Sequence, residues 1–165
     1  MSEELIFREA TNNDTGAIKT MIFSVLEEYG LPPDPCRTDA DLEDIETSYT
    51  NNNGYFIVVT NAGRVIATMG ILRIDTGTCE LRKMYAIPAA RGRGLGKTLM
   101  ELALAKAVEL GYRRMVLETA SPLKEAIGLY RRYGFRQYQP ACIAERCDQA
   151  YELMLDQFRD NDHVH

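Results

Sequence analysis

The 165-residue sequence contains no tryptophan, and its two histidines, His163 and His165, both stand at the extreme end of the chain. Proton transfer in the body of a domain built from this chain therefore falls to carboxylates, Tyr, Cys, Lys or water. Basic residues are in deficit: nineteen Lys and Arg against twenty-four Asp and Glu give a formal net charge of −5. That is the wrong sign for a general binder of phosphate backbones, so no nucleic-acid partner is expected. No uninterrupted apolar run approaches the roughly eighteen residues that a membrane span needs. The start, Met1-Ser2-Glu3-Glu4, is acidic where a secretion signal would be basic. The expectation is a cytoplasmic address and no membrane partner.

Cysteine is also sparse. Cys36, Cys79, Cys142 and Cys147 lack the C-x-x-C spacing of zinc sites, and an intracellular domain of this size gains little from disulfides, so all four read as reduced thiols. The polar end Asp160-Asn161-Asp162-His163-Val164-His165 reads as a frayed terminus rather than a metal site. No metal is expected.

What remains is an ordinary globular composition, with 45% hydrophobic and 26% charged residues. There is neither repeat nor linker. The chain reads as one domain over 1–165, with a core over about 5–156 and a polar tail over 157–165. Leu5 to Glu9 has strand character, and Asn12 or Asn13 would cap a helix to about Tyr29, ended by Gly30. Leu31-Pro32-Pro33-Asp34-Pro35 must be loop, and a second, acidic helix is expected from Thr38 or Asp39 to Tyr49. Strands follow over Tyr55 to Thr60, Arg64 to Ile74 and Cys79 to Ile87, and then a helix over Gly92 to Leu110. A strand over Arg114 to Thr119 leads to a helix capped by Ser121 with Pro122 at its first position and stopped by Gly134. Phe135 to Tyr138 and Tyr151 to Leu155 close the order β-α-α-β-β-β-α-β-α-β-β. The expected fold class is α+β, with a mixed, mostly antiparallel sheet of about seven strands flanked by about four helices.

The chemistry concentrates in Arg91-Gly92-Arg93-Gly94-Leu95-Gly96-Lys97-Thr98, the joint between a strand and a helix. The first turn of a helix leaves N–H groups unpaired, its dipole places positive potential there, and glycines let a phosphate reach the backbone. Arg91, Arg93 and Lys97 add positive charge against the global sign. Two better-known phosphate loops fail on register. G-x-x-x-x-G-K-[ST] needs a glycine where Arg91 stands, and G-x-G-x-x-G ends on Lys97 or Leu99.

The spacing R/Q-x-x-G-x-G/A is filled by Arg91, Gly94 and Gly96. Together with the strand Glu80-Leu81-Arg82-Lys83-Met84-Tyr85-Ala86-Ile87-Pro88, and Ala126-Ile127-Gly128-Leu129-Tyr130 followed by Tyr133-Gly134-Phe135, it resembles the GNAT acetyltransferase superfamily. The similar element order extends over about residues 5 to 156. The resemblance implies acetyl-CoA as cosubstrate. Backbone N–H groups around Gly92 to Lys97 would hold its pyrophosphate, and the backbone of Met84 and Ala86, beside Tyr85, would pair with the pantetheine arm. Its fourth and fifth strands would splay to admit that arm, although the sequence alone reveals neither bulge nor splay.

The resemblance further implies N-acetylation of a primary amine, on a small molecule or a peptide, by direct attack on the thioester. Tyr130 would be the acid for the departing sulfur and Glu80 the base. From the residues alone, Tyr130 completes a helical core stripe and Glu80 suits a cross-strand ion pair, as acidic residues at strand ends commonly do. Strand alternation sets Glu80 and Lys83 on opposite faces, so both could serve the cleft only across a bulge. Leu123 stands where relatives often carry Asn. Cys79 and Cys142 lack a nearby His to serve as base for an acyl-enzyme. The competing expectation is a non-catalytic acyl-CoA-binding or regulatory module. The chain would act as a monomer or a homodimer.

Overall fold

The computed structural model describes residues 4–161; His163 and His165 lie outside them. β1 (Leu5–Glu9) leads to α1 (Thr15–Glu28), and the short helix α2 (Ile45–Ser48) precedes β2 (Tyr55–Asn61), β3 (Arg64–Arg73) and β4 (Thr78–Ala86). Then come α3 (Leu95–Glu109), β5 (Arg114–Thr119), α4 (Lys124–Arg132), β6 (Arg136–Tyr138), β7 (Gln149–Met154) and α5 (Asp156–Asn161). The strands form one seven-stranded sheet in the order β1-β2-β3-β4-β5-β7-β6, mixed and α+β as the sequence predicts.

Tyr-Phe-Ile-Val-Val in β2 and the run Val65 to Ile71 in β3 are buried almost without alternation, the pattern of strands covered on both faces. α1 and α3 both pack on β3 and β4. α1 supplies Ile18, Met21, Ile22, Val25 and Leu26 to the core, an inward stripe at helical spacing.

Several boundaries differ from those the sequence predicts, each for a local reason. Thr11, not Asn12 or Asn13, caps the first turn: its Oγ1 accepts from Asn13 N–H at 3.3 Å while Asp14 accepts from Thr11 N–H at 2.9 Å, a reciprocal capping box. The acidic helix expected over 38–49 breaks at Asp44, whose carboxylate caps α2 by accepting from Thr47 N–H at 3.0 Å. α3 begins at Leu95 rather than Gly92 because Gly92 and Gly94 adopt φ of +79° and +77°, outside the right-handed helix. Ser121 does not cap α4. Asp148 takes both its N–H at 2.9 Å and its hydroxyl at 2.7 Å, and the helix starts at Lys124. The last strand begins at Gln149 instead of Tyr151, and the expected polar tail opens as α5.

Two irregularities in β4 matter most. Thr68 pairs with Tyr85 but Gly70 with Arg82, so β4 carries one residue more than β3 over this stretch, a β-bulge. Lys83 adopts φ of +56° there, a left-handed conformation rare for a residue with a side chain, and Thr68 Oγ1 braces the bulge by donating to Lys83 C=O at 2.6 Å. On its other side β4 pairs with β5 in parallel only over Thr78–Arg114, Cys79–Met115 and Glu80–Val116. Beyond Glu80 the two strands part. Lys83 and Met84 therefore fall outside the register on both sides. No described helix is long and apolar enough to cross a membrane.

Candidate active site

The parting of β4 from β5 opens the sheet beside the glycine-rich joint, and a cleft of about 650 Å³ follows it. One wall is the bulged strand at Met84, Tyr85 and Ala86; the floor is Arg91, Gly92 and Gly94 with the first turn of α3 at Leu95, Gly96 and Lys97. The first intrahelical bond of α3 runs from Thr98 N–H to Gly94 C=O at 3.1 Å. The N–H groups of Leu95, Gly96 and Lys97 therefore have no partner within the helix, and the positive end of its dipole meets the cleft. Such an arrangement can seat a diphosphate, and the open strand edge that continues it can be joined by an extended, amide-bearing arm.

Of the residues that the sequence singles out for this role, Arg93 and Thr98 do not line the cleft. Thr98 Oγ1 turns back onto Gly94 C=O at 3.1 Å. Arg91 lines it, but its guanidinium binds protein: it donates to Glu28 at 2.6 and 2.9 Å and to Ala86 C=O at 3.0 Å, over the Tyr29 ring at 5.4 Å. Arg91 thus ties the end of α1 to the joint. The far wall, Val25 and Tyr29 on one side and Leu129, Arg132 and Tyr133 on the other, escapes sequence reading because only the fold brings α1 and α4 to the same cleft.

A second cavity, of about 300 Å³, adjoins the first through Met84, Tyr85, Leu123 and Ala126. Glu80, Arg82, Lys83 and Tyr130 line it. The bulge resolves the alternation problem noted above, since Glu80 and Lys83 both reach this cavity. Tyr130 is 7% exposed, packed against Phe135 and Tyr151. Burial raises its hydroxyl well above the ordinary tyrosine value, so it remains a proton donor across neutral pH. Burial likewise raises the Glu80 carboxyl, reinforced by the nearby Glu118 and opposed by Arg82, whose Nε lies 3.6 Å away along the same strand. A carboxyl so raised moves toward the range in which a base works at neutral pH.

The cavity's outer wall comes from two loops. Leu31 and Thr38 contribute from one, and Cys142 to Ala144 with Arg146 and Cys147 from the other. They are locked by Asp39, which is completely buried. Asp39 accepts two hydrogen bonds from Arg146 at 2.6 and 2.7 Å, one from Asp34 N–H at 2.8 Å, and pairs with Lys83 Nζ at 2.8 Å. The acidic segment expected as a helix from Thr38 or Asp39 therefore turns its first carboxylate, Asp39, inward. Asp41 completes the cluster, accepting from the buried Tyr49 hydroxyl and lying 3.4 Å from Lys83 Nζ. The sequence offers no signal for this lock.

All four cysteines are free. Cys79 is fully buried in the core, its thiol pushed up to about 12 by burial, and Cys147 is pushed up to about 11 by the same cause. Neither presents a thiolate at neutral pH. Among the described residues no group of three or more His, Cys, Asp or Glu is placed to hold a metal.

The sequence profile of the Acetyltransferase (GNAT) family matches residues 21–135, a span that contains both cavities' principal strands and helices. The chain belongs to this family of N-acetyltransferases. It is 40% identical over 135 residues to the uncharacterised N-acetyltransferase YjgM of Escherichia coli strain K12, covering 79% of this chain and 81% of that one. An acetyltransferase structure from Streptococcus agalactiae is 25% identical with a TM-score of 0.83, over 91% of this chain and 98% of that one. A Salmonella typhimurium protein solved with its cofactor acetyl-CoA shares the fold at 20% identity and a TM-score of 0.72, over 93% of this chain and 95% of that one.

Proposed function

We propose that the protein transfers an acetyl group from acetyl-CoA to a primary amine by direct attack of the nitrogen on the thioester. The observation that carries this is the continuity of the two cavities: a diphosphate seat and an open strand edge lead directly to a smaller chamber lined by a buried tyrosine and a carboxyl of raised proton affinity. The fit to acetyl-CoA rests on the unpaired first-turn N–H groups of α3, on Gly92 and Gly94, which leave the seat free of Cβ atoms, and on the unregistered backbone at Met84. The acetyl-CoA held by the Salmonella neighbour supports the same fit.

Bound acetyl-CoA supplies an activated carbonyl carbon and a thiolate leaving group. The backbone N–H groups of Leu95 to Lys97 hold the diphosphate, and Met84 and Ala86 hold the arm. An alkylammonium keeps its proton until about pH 10, so Glu80 takes one proton from it, directly or through one water. Met84 N–H donates to the carbonyl oxygen as charge develops there. The Tyr130 hydroxyl protonates the departing sulfur, and the proton that the nitrogen sheds on becoming an amide restores Tyr130 through solvent.

Thiol release from acetyl-CoA across a panel of amines, alongside calorimetry with CoA, tests the proposal. Heat on CoA addition and amine-dependent thiol release are expected. CoA affinity with no thiol release for any amine would make the chain an acyl-CoA-binding module instead.

A further inference from the structure

Which amine enters the smaller cavity is a question of charge. Three cations line it, Arg82, Lys83 and Arg146, and each is already answered from within the protein. Arg146 is bidentate to Asp39; Lys83 lies 2.8 Å from Asp39 and 3.4 Å from Asp41; Arg82 approaches Asp41 at 3.9 Å and Glu80 at 3.6 Å and donates to Thr38 C=O. Asp39 and Asp41 stand behind the wall and do not line the cavity. Its carboxylates are in the opposite position. Glu80 has one ion pair among the described residues, with Arg82, and Glu118 has none; its Oε1 accepts from Ala144 N–H at 2.6 Å.

The splay puts these two carboxylates around one opening. Glu80 is in register with Val116, the last pair before β4 and β5 part. Glu118, two positions further along β5, shares the strand face of Val116 and hence of Glu80. At about 300 Å³ the chamber takes a small molecule, and Leu31, Leu81, Leu123 and Ile143 give it apolar surface for methylenes.

We infer that the acceptor is a small amine carrying a second positive charge and no carboxylate, a diamine or a guanidino-amine. Glu118 holds the charge that does not react. This rests on the transfer reading above, in which Glu80 is neutralised by the proton it takes; Glu118 has no part in that proton transfer and has no cationic partner of its own among the described residues. A carboxylate-bearing amine would meet two acidic side chains and only cations that Asp39 and Asp41 already satisfy.

The test uses three four-carbon amines that differ only at the far end: 1,4-diaminobutane, n-butylamine and 4-aminobutyrate. With acetyl-CoA, kcat/KM for the diamine should exceed that for butylamine by about tenfold or more, with 4-aminobutyrate lowest. In Glu118→Gln, which keeps an oxygen for Ala144 N–H, the ratio of diamine to butylamine should collapse toward one. Calorimetry with 1,4-diaminobutane on the wild type and Glu118→Gln, without acetyl-CoA, separates the two levels of inference. Glu118-dependent binding with no thiol release would uphold a dicationic ligand held by Glu118 and remove the transfer reading. Equal use of 4-aminobutyrate and the diamine, a ratio unchanged in Glu118→Gln, or no diamine binding and no diamine turnover, would each overturn the inference.

Discussion

Asp39 and Arg146, 107 residues apart in the chain, meet through two hydrogen bonds of 2.6 and 2.7 Å inside the protein. Asp39 is fully buried and the Arg146 side chain is 7% exposed. Their pairing joins the loop after α1 to the loop before β7 and braces the bulged strand between them through Lys83.

Asp39→Asn should destabilise the fold by about 3–5 kcal/mol in denaturant unfolding, since it strands Arg146 and Lys83 without their counter-charge. Arg146 and Lys83 hold the Asp39 carboxyl far below the usual carboxylate range despite its burial. Its contribution is therefore complete above the ordinary aspartate value and is lost as pH falls through the depressed folded one. The variant should lack that part of the acid dependence of stability. An unfolding free energy that tracks the wild type from neutral pH into the acid range would contradict this role.

Tyr130→Phe should lower kcat by about 10²–10⁴-fold while leaving the melting temperature nearly unchanged, because the hydroxyl has no hydrogen-bond partner among the described residues and its ring contacts survive. Full activity in the variant would exclude the hydroxyl as the acid.

Glu80→Gln should remove the acidic limb of the kcat/KM profile, which in the wild type reports the raised Glu80 proton affinity. The same shift has a stability consequence of opposite sign to that of Asp39. A carboxyl whose folded value is raised contributes most when protonated, and this contribution is lost as pH rises through that value. Glu80→Gln should thus be more stable than the wild type at neutral pH, with the difference vanishing in acid. Calorimetric melting at several pH values checks the sign.

Gly94→Ala places a Cβ at φ of +77° with no heavy atom of the protein within 4 Å of it. The cost to the fold should be the conformational term alone, about 1–2 kcal/mol. The new methyl group stands at the proposed diphosphate seat, so CoA affinity should fall by more than stability predicts. Calorimetric titration of CoA reads that difference; equal affinity would place the diphosphate elsewhere.

The parts legible in the sequence are those whose physics is local. Gly92 and Gly94 announce a joint that cannot be helical, and the spacing from Leu123 to Tyr130 marks a helix with an inward stripe. The central strands declare themselves by unbroken runs of β-branched and aromatic residues. The illegible parts depend on distant partners. Ser121 is an ideal cap on paper, but Asp148 takes its hydroxyl. Arg91 has the look of a phosphate ligand, but Glu28 occupies its guanidinium. An extra residue in β4 leaves no mark in an alternation pattern, so Lys83 reads as facing away from Glu80 until the bulge turns it. Asp39, Glu118 and Arg146 acquire meaning only when three segments meet.

A sheet whose fourth and fifth strands share three residue pairs at one end behaves mechanically as two leaves on a short spine. The leaf of β1 to β4 and the leaf of β5, β7 and β6 are fastened again across the gap by Asp39 and Arg146, so what the gap frees is backbone: amides near the spine are shielded, and those of Lys83 and Met84, outside the register on both sides, should trade their hydrogens with solvent more rapidly. A guest threaded between the leaves would stitch them together, so deuterium uptake along β4 past the bulge should slow more on its arrival than uptake in β2 or β3, which are shut on both sides already.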